Sequence, residues 1–238
     1  MIIEKPKFYG RRQGRKIRKA KGNLLDKFLP KIKIDTSKTF QEIFSSPFEK
    51  TYLEIGFGDG SHLAGIAKNH PNIGFIGAEV FKNGVANLLT LLTGIKEGHE
   101  LPEDITLADE RNDNVRVFDD DIRILFQYIP DSSLDKVFVL FPDPWPKKKH
   151  ADRRLVNQDN LKEIARILKK DSILVIATDH VVYKGWALRQ TLESNLFEWT
   201  AKTSNDWRNE PQGWVQTKYQ KKALREGRKP VFFTFKKI

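Results

Sequence analysis

Phe141 to Arg154 reads F-P-D-P-W-P-K-K-K-H-A-D-R-R, the densest group of chemically useful side chains in the sequence. Asp143 stands between two prolines, Trp145 follows, and five cations fall within the eight positions from Lys147 to Arg154. Pro142 and Pro144 fix φ at their own positions and restrict the residues before them, so Asp143 is expected on a held, extended backbone. A rigid carboxylate, an exposable aromatic ring and a cationic patch together suit a nucleobase and its phosphates. Taken separately, the same pieces would make only a proline turn and a solvated basic face. Trp145 has two uses open to it: stacking on a base, worth about 1–3 kcal/mol, or anchoring the loop by burial.

The elements that position this stretch follow from the apolar pattern. Val137 to Leu140 reads as the end of a buried parallel strand, and ligands in open α/β sheets gather beyond the carboxyl ends of such strands. Strands are expected at Thr51 to Ile55, Ile73 to Ala78, Val115 to Phe118, Leu134 to Leu140 and Ser172 to Ala177, with short ones near Phe197 and at Val231 to Phe235. Helices are expected at Gly60 to Asn69, Lys82 to Thr93, Asp120 to Tyr128, Asn157 to Leu168 and Val181 to Ser194, plus a short one from Asp35 or Thr36 to Ser45. This alternation predicts an α/β fold with a doubly wound, mostly parallel sheet and helices on both faces. Gly94 to Asn114 is polar and long for a helix-to-strand link, so it reads as a surface insertion.

A second chemical centre lies where the first strand meets the first long helix, at L-E-I-G-F-G-D-G from Leu53 to Gly60. Gly56, Gly58 and Gly60 permit a tight turn and close approach of backbone to a ligand, beside the N–H groups of a helix start. The spacing is G-x-G-x-G, with Ser61 where the dinucleotide fingerprint would have its last glycine. Glu79 ends the second strand, where it can accept from both hydroxyls of a ribose. Asp119, Asp120 and Asp121 follow the third, where a carboxylate can accept from an adenine amino group or cap the next helix. The arrangement is similar to the Rossmann-like, class I S-adenosylmethionine-dependent methyltransferases, in which a carboxylate such as Glu54 would sit near the cationic methionine moiety.

With these motifs the chain resembles the tRNA (guanine-N7)-methyltransferases. The segments that carry the resemblance are L-E-I-G-F-G-D-G at Leu53, F-P-D-P-W-P-K-K at Phe141, R-R-L-V at Arg153, A-T-D-H at Ala177, and T-K-Y at Thr217 followed by A-L-R-E-G. The resemblance implies that Glu54, Glu79 and Asp120 contact S-adenosylmethionine and that Asp143 is the catalytic carboxylate. It implies that Lys147, Asp179, Thr217, Lys218, Tyr219 and Gln220 contact the tRNA, whose methylated guanine would be position 46 of the variable loop. The family commonly has Glu where this chain has Gln220, and a shorter link where this chain has residues 98 to 112. Asp143 has two chemical uses, stabilising positive charge on the purine or accepting from its N1 and N2 hydrogens.

Composition narrows the alternatives. The absence of cysteine excludes disulfides, thiolate metal sites and cysteine catalysis, and His150 and His180 come without metal-ligand spacing. His150 is expected to touch RNA, and His180 to orient Asp179 or cap the helix after it. No run approaches a membrane span and the N-terminus has no signal-peptide core, so a soluble, cytoplasmic protein is expected. From Lys5 to Lys33 there are twelve Lys or Arg and one acid, Asp26, so this segment carries the whole net charge of +11. Residues 1–34 are therefore expected to be a basic arm, disordered alone between Arg11 and Lys21, whose partner is a polyanion. Residues 35–238 are expected to form a single domain, as a monomer or homodimer. A second cationic stretch runs from Lys218 to Lys229. Methylation of an exocyclic amine is disfavoured because Pro144 is followed by Trp145, not by the second proline of an Asn/Asp-Pro-Pro-aromatic loop. A non-catalytic RNA-binding protein is disfavoured by the intact glycines, Glu79 and Asp143.

Overall fold

Stretches of Val, Ile, Leu and Phe too apolar to leave one face in water become the strands. In the computed structural model, which describes residues 6–99, 102–108 and 113–238, the chain divides into two compact units, Met1–Tyr128 and Ile129–Ile238. In the first, Lys50–Ile55 (β1), Ile73–Ala78 (β2) and Val115–Phe118 (β3) pair in parallel in the order β3-β2-β1. The crossovers carry Ser61–Asn69 (α3) and Lys82–Thr93 (α4). This is the β-α-β-α-β half of a Rossmann-like fold, with ligand space expected beyond Ile55, Ala78 and Phe118. Val85, Leu88, Leu89 and Leu92 form the buried stripe of α4, which ends on Gly94 in the left-handed region.

In the second unit, Leu134–Leu140 (β4) pairs in parallel with Leu168–Thr178 (β5), and Val231–Lys237 (β7) runs antiparallel between β5 and Phe197–Trp199 (β6). Gln158–Ile167 (α6) starts on the Asn157 side chain, which accepts from Asn160 N at 2.9 Å. Val181–Glu193 (α7) buries Tyr183, Ala187 and Thr191, four residues apart. A single turn, Asn205–Arg208 (α8), follows β6 and packs on β7. The α/β class with mostly parallel pairing is the one the sequence predicts. β5 begins four residues early because Leu168 already pairs with Leu134, across an irregularity in register.

The basic arm differs from its expectation. Lys19–Lys27 (α1) and Leu29–Ile32 (α2) are helical, and Ala20, Leu24 and Phe28 bury one stripe four residues apart despite the surrounding charge. α1 packs on α4, Lys33 bridges to Val117 and Ile34 N donates to Val117 O, so the segment after Arg18 belongs to the first unit rather than to a disordered tail. The helix expected from Asp35 to Ser45 shortens to a 3-10 turn at Phe40–Glu42. It is started by a Thr39/Glu42 capping box, while Asp35 is spent on a turn with Ser37. The helix expected from Asp120 shrinks to Ile122–Leu125 (α5). Within the expected insertion, Ile105 and Asn114 are buried, and Asn114 donates to the carbonyls of Ala67, His70 and Ile73. Residues 100–101 and 109–112 of that insertion lie outside the described residues.

Candidate active site

The first unit holds every residue expected at the cofactor. Gly56, Gly58 and Gly60 all have positive φ, 69°, 60° and 75°, so the turn from β1 into α3 uses backbone that L side chains rarely adopt. The place a Cβ would take on Gly56 is open, with no atom beyond its chain neighbours within 4 Å, so a ligand can reach the backbone there. Gly84 is required for a different reason: a Cβ on it would lie 2.0 Å from Gly58 O, where α4 presses against the loop.

Glu79 fixes this loop. Its Oε2 accepts from Gly58 N at 2.7 Å and its Oε1 from Phe81 N at 2.8 Å. The side chain thus braces the loop from the strand end where a diol-binding carboxylate is expected. Asn87 of α4 adds a second brace, donating to Asp59 O at 2.8 Å while accepting from Lys21 Nζ at 2.8 Å. An amide-lined glycine turn, an adjacent strand-end carboxylate and an open backbone approach fit a nucleoside with a cationic amino-acid tail.

The three aspartates after β3 separate into distinct roles. Asp121 caps α5 through Arg123 N and grips the Arg123 guanidinium, so it is the structural member. Asp119 pairs with Lys33 at 2.7 Å. Asp120 Oδ1 accepts from its neighbour Asp121 N and from Arg12 Nη1, both at 2.9 Å. Arg12 O in turn accepts from Lys82 N, and Gly14 N donates to Asn83 Oδ1. The segment around Arg12 thus lies along the ends of β2 and β3.

Glu54, the last acid of β1, is only 2% exposed, and such burial needs a partner. That partner is His62, 1% exposed, whose Nδ1 lies 2.8 Å from Glu54 Oε2. The sequence reading passes over His62, because a lone histidine in the first turn of a helix has no pattern that separates it from core.

The second unit holds the residues expected at the base and the RNA. Asp143 follows β4 and Asp179 follows β5, and Phe141 N donates to Ala177 O, so the parallel pair delivers both acids to one edge. Phe141 and Trp145 have φ of 50° and 40°, a costly conformation for aromatic residues that brackets Asp143. Buried Arg154 holds the loop: it donates to the carbonyls of Pro144 and Trp145, and its guanidinium lies 4.4 Å from the Trp186 ring centre. Asp143 is solvent-accessible, yet crowding by protein raises its pKa above the ordinary aspartate value by desolvation. Trp145 is half-buried, with the Arg153 guanidinium 5.1 Å from its ring centre and His150 against its edge.

Lys147, Lys218 and Tyr219 are exposed, and Asp179 pairs with Arg228. His180 takes the N-cap position of α7 without a side-chain capping bond. Two expected RNA contacts turn inward instead. Thr217 caps Lys218–Arg225 (α9) through Gln220 N, and Gln220, 1% exposed, accepts from Trp214 Nε1 and donates to Glu210 Oε1. These two side chains are buried in this arrangement and shape the segment. α9 presents Lys218, Lys221, Lys222 and Arg225 to solvent.

A family profile described as "Putative methyltransferase" matches residues 49–233. A protein of Chelativorans sp. strain BNC1 named tRNA (guanine-N(7)-)-methyltransferase is 38% identical over 235 residues, covering 97% of this chain and 95% of its own. Proteins of the same name from Rhodospirillum rubrum and Paramagnetospirillum magneticum are 37% and 39% identical, covering 98% of this chain and 89% and 94% of theirs. At that coverage the similarity extends into the basic arm, beyond the motifs that begin at Leu53.

Proposed function

The chain belongs to the tRNA (guanine-N(7)-)-methyltransferase family, and from that premise we propose how its residues divide the work on a variable-loop guanine at position 46. The protein is an S-adenosylmethionine-dependent methyltransferase acting on N7 of a guanine in tRNA. The observation that carries the site assignment is the glycine turn locked to Glu79, with Gly58 N and Phe81 N on its two carboxylate oxygens. Gly56, Gly58, Gly60, Glu79 and Asp120 hold the cofactor's nucleoside, and Glu54 faces its charged tail. When bound, S-adenosylmethionine supplies an electrophilic methyl group.

Guanine N7 has an in-plane lone pair and no proton, so the chain needs no base before the methyl moves. Its residues contribute alignment, which is worth roughly 7–11 kcal/mol at best, and compensation for the positive charge that develops on the purine. Asp143 is the group for the second task. Its carboxylate is held on a rigid loop and open to an incoming base, where a fixed negative charge can offset the charge that develops on the purine. Lys147, Lys218, Tyr219 and the exposed cations of α9 grip the RNA, and contacts to phosphates position the substrate without reading its sequence. Thr217 and Gln220 support that grip from beneath. Asp179, tied to Arg228, orders the neighbouring edge. The protein acts in the cytoplasm, on tRNA.

The test is transfer of tritiated methyl to bulk tRNA lacking 7-methylguanosine, followed by nucleoside mass spectrometry. 7-Methylguanosine is the expected product, and mass spectrometry of ribonuclease fragments of the same tRNA should place it at position 46. A different methylated nucleoside would overturn the base specificity.

A further inference from the structure

We infer that His62 is a positioning residue for the reaction: it turns the Glu54 carboxylate so that the site prefers the positively charged sulfonium form of the cofactor over its neutral thioether product. The inference rests on the reading of Glu54 as facing the cofactor's charged tail, and adds a residue that reading does not contain.

Glu54 sits one residue before the end of β1, with Leu53 and Ile55 buried on either side and Gly77 paired beside it on β2. A carboxylate at such a place keeps its charge only if a hydrogen-bond donor meets it. The backbone around it is committed to the parallel ladder, and the donor comes from α3. His62 Nδ1 stands 2.8 Å from Glu54 Oε2, with both side chains 1% exposed. The ring is placed by the same turn that makes the cofactor loop. Gly60, at φ 75°, starts α3, and His62 follows two residues later. With its hydrogen on Nδ1 the ring donates to Oε2 and stops rotation of the carboxylate, leaving Oε1 as the oxygen assigned to the cofactor. For the pair to favour a cation it must carry the net negative charge of Glu54, with the imidazole acting as a neutral donor.

This geometry separates a positioning role from simple core filling. S-adenosylmethionine and S-adenosylhomocysteine differ by one methyl group and one positive charge, so the ratio of their affinities reads the field at the sulfur. A merely structural histidine would, on removal, weaken both ligands alike.

The experiment is calorimetric titration of both ligands into the full chain and its variants, with thermal unfolding as the folding control. Glu54→Gln should lower the preference for the charged ligand about tenfold, the order of one partly screened charge–charge contact. His62→Leu should lower the same ratio several-fold, about half to all of the Glu54→Gln effect, because the carboxylate is no longer held. His62→Asn, whose amide nitrogen falls near the Nδ1 position, should restore the ratio. His62→Gln, whose amide falls near Nε2 instead, should behave like His62→Leu, and it serves if the leucine variant does not fold. Equal weakening of both ligands in His62→Leu and His62→Gln would overturn the inference. An unchanged ratio in Glu54→Gln would instead overturn the placement of Glu54 near the sulfonium, and unchanged affinity for both ligands its placement at the charged tail altogether.

Discussion

Arg154 Nη2 donates to the Trp145 carbonyl at 2.9 Å, while Nε lies 3.1 and 3.2 Å from the carbonyls of Pro144 and Trp145. One buried guanidinium thereby closes the loop that presents Asp143, and its stacking on Trp186 fixes its own plane. The left-handed backbone at Trp145 is held in part by this clamp.

Arg154→Lys should therefore damage turnover more than cofactor binding. An ammonium cannot donate to both carbonyls in the plane of the guanidinium and stack on Trp186 as well. The loop relaxes, and a displacement of about 1 Å at the reacting groups is enough for roughly 10²-fold in rate. The check is kcat measured beside the affinity for S-adenosylmethionine, which depends on residues of the first unit. An equal drop in both would remove the positioning role.

Asp143 gives a prediction in pH. Its pKa is raised above the ordinary 3.8 by desolvation, and the working form is the carboxylate. Activity is then full above the raised pKa and falls as pH drops through it, so the acid limb lies at higher pH than an ordinary aspartate would give. Asp143→Asn should leave a low rate with no such limb. Asp143→Ala should abolish transfer with little change in tRNA affinity. An unchanged limb in the asparagine variant would assign it to another group.

The arm calls for two experiments, because it has two parts. Arg11, Arg15, Lys16 and Arg18 are exposed. Replacing all four with Gln should weaken tRNA binding and flatten its salt dependence by about 0.7–0.9 in log–log slope for each phosphate no longer neutralised. Leu24→Ala, by contrast, opens a cavity in the buried stripe of α1 and should cost about 2–5 kcal/mol of stability. A truncation through Ala20 would mix these effects, since Ala20 is buried. An unaltered salt slope in the Gln variant would make the exposed cations irrelevant to RNA.

The strands and the long helices were legible because their signal is local: β2, β3, β4 and α4 begin and end where the apolar runs do. α1 was not, since Ala20, Leu24 and Phe28 are a sparse stripe inside a run of Lys and Arg with Gly22 in it. Their burial depends on α4, which is distant in sequence. Glu54, Glu79 and Asp143 could be singled out because acids at strand ends are unusual. Their partners could not, because His62 and Arg154 become informative only through what they touch. The inward turn of Gln220 was likewise invisible, as its partner Glu210 carries no motif.

Gln220 yields the remaining prediction. Its amide is used at both ends, accepting from Trp214 Nε1 at 2.7 Å and donating to Glu210 Oε1 at 2.6 Å, an oxygen that also accepts from Gln216 Nε2 at 2.6 Å. Gln220→Glu would set a second carboxylate against Glu210 with the donor gone. Trp214 could still donate to it, so the cost is the broken Glu210 bond and the like-charge approach, about 1–3 kcal/mol. Thermal unfolding at neutral pH should show that destabilisation, and Glu210→Gln in the same chain should recover most of it by supplying a donor. If Gln220→Glu is instead neutral or stabilising, Glu210 is not held by Gln220 in solution, and the support assigned to this segment beneath Lys218 and Tyr219 fails with it.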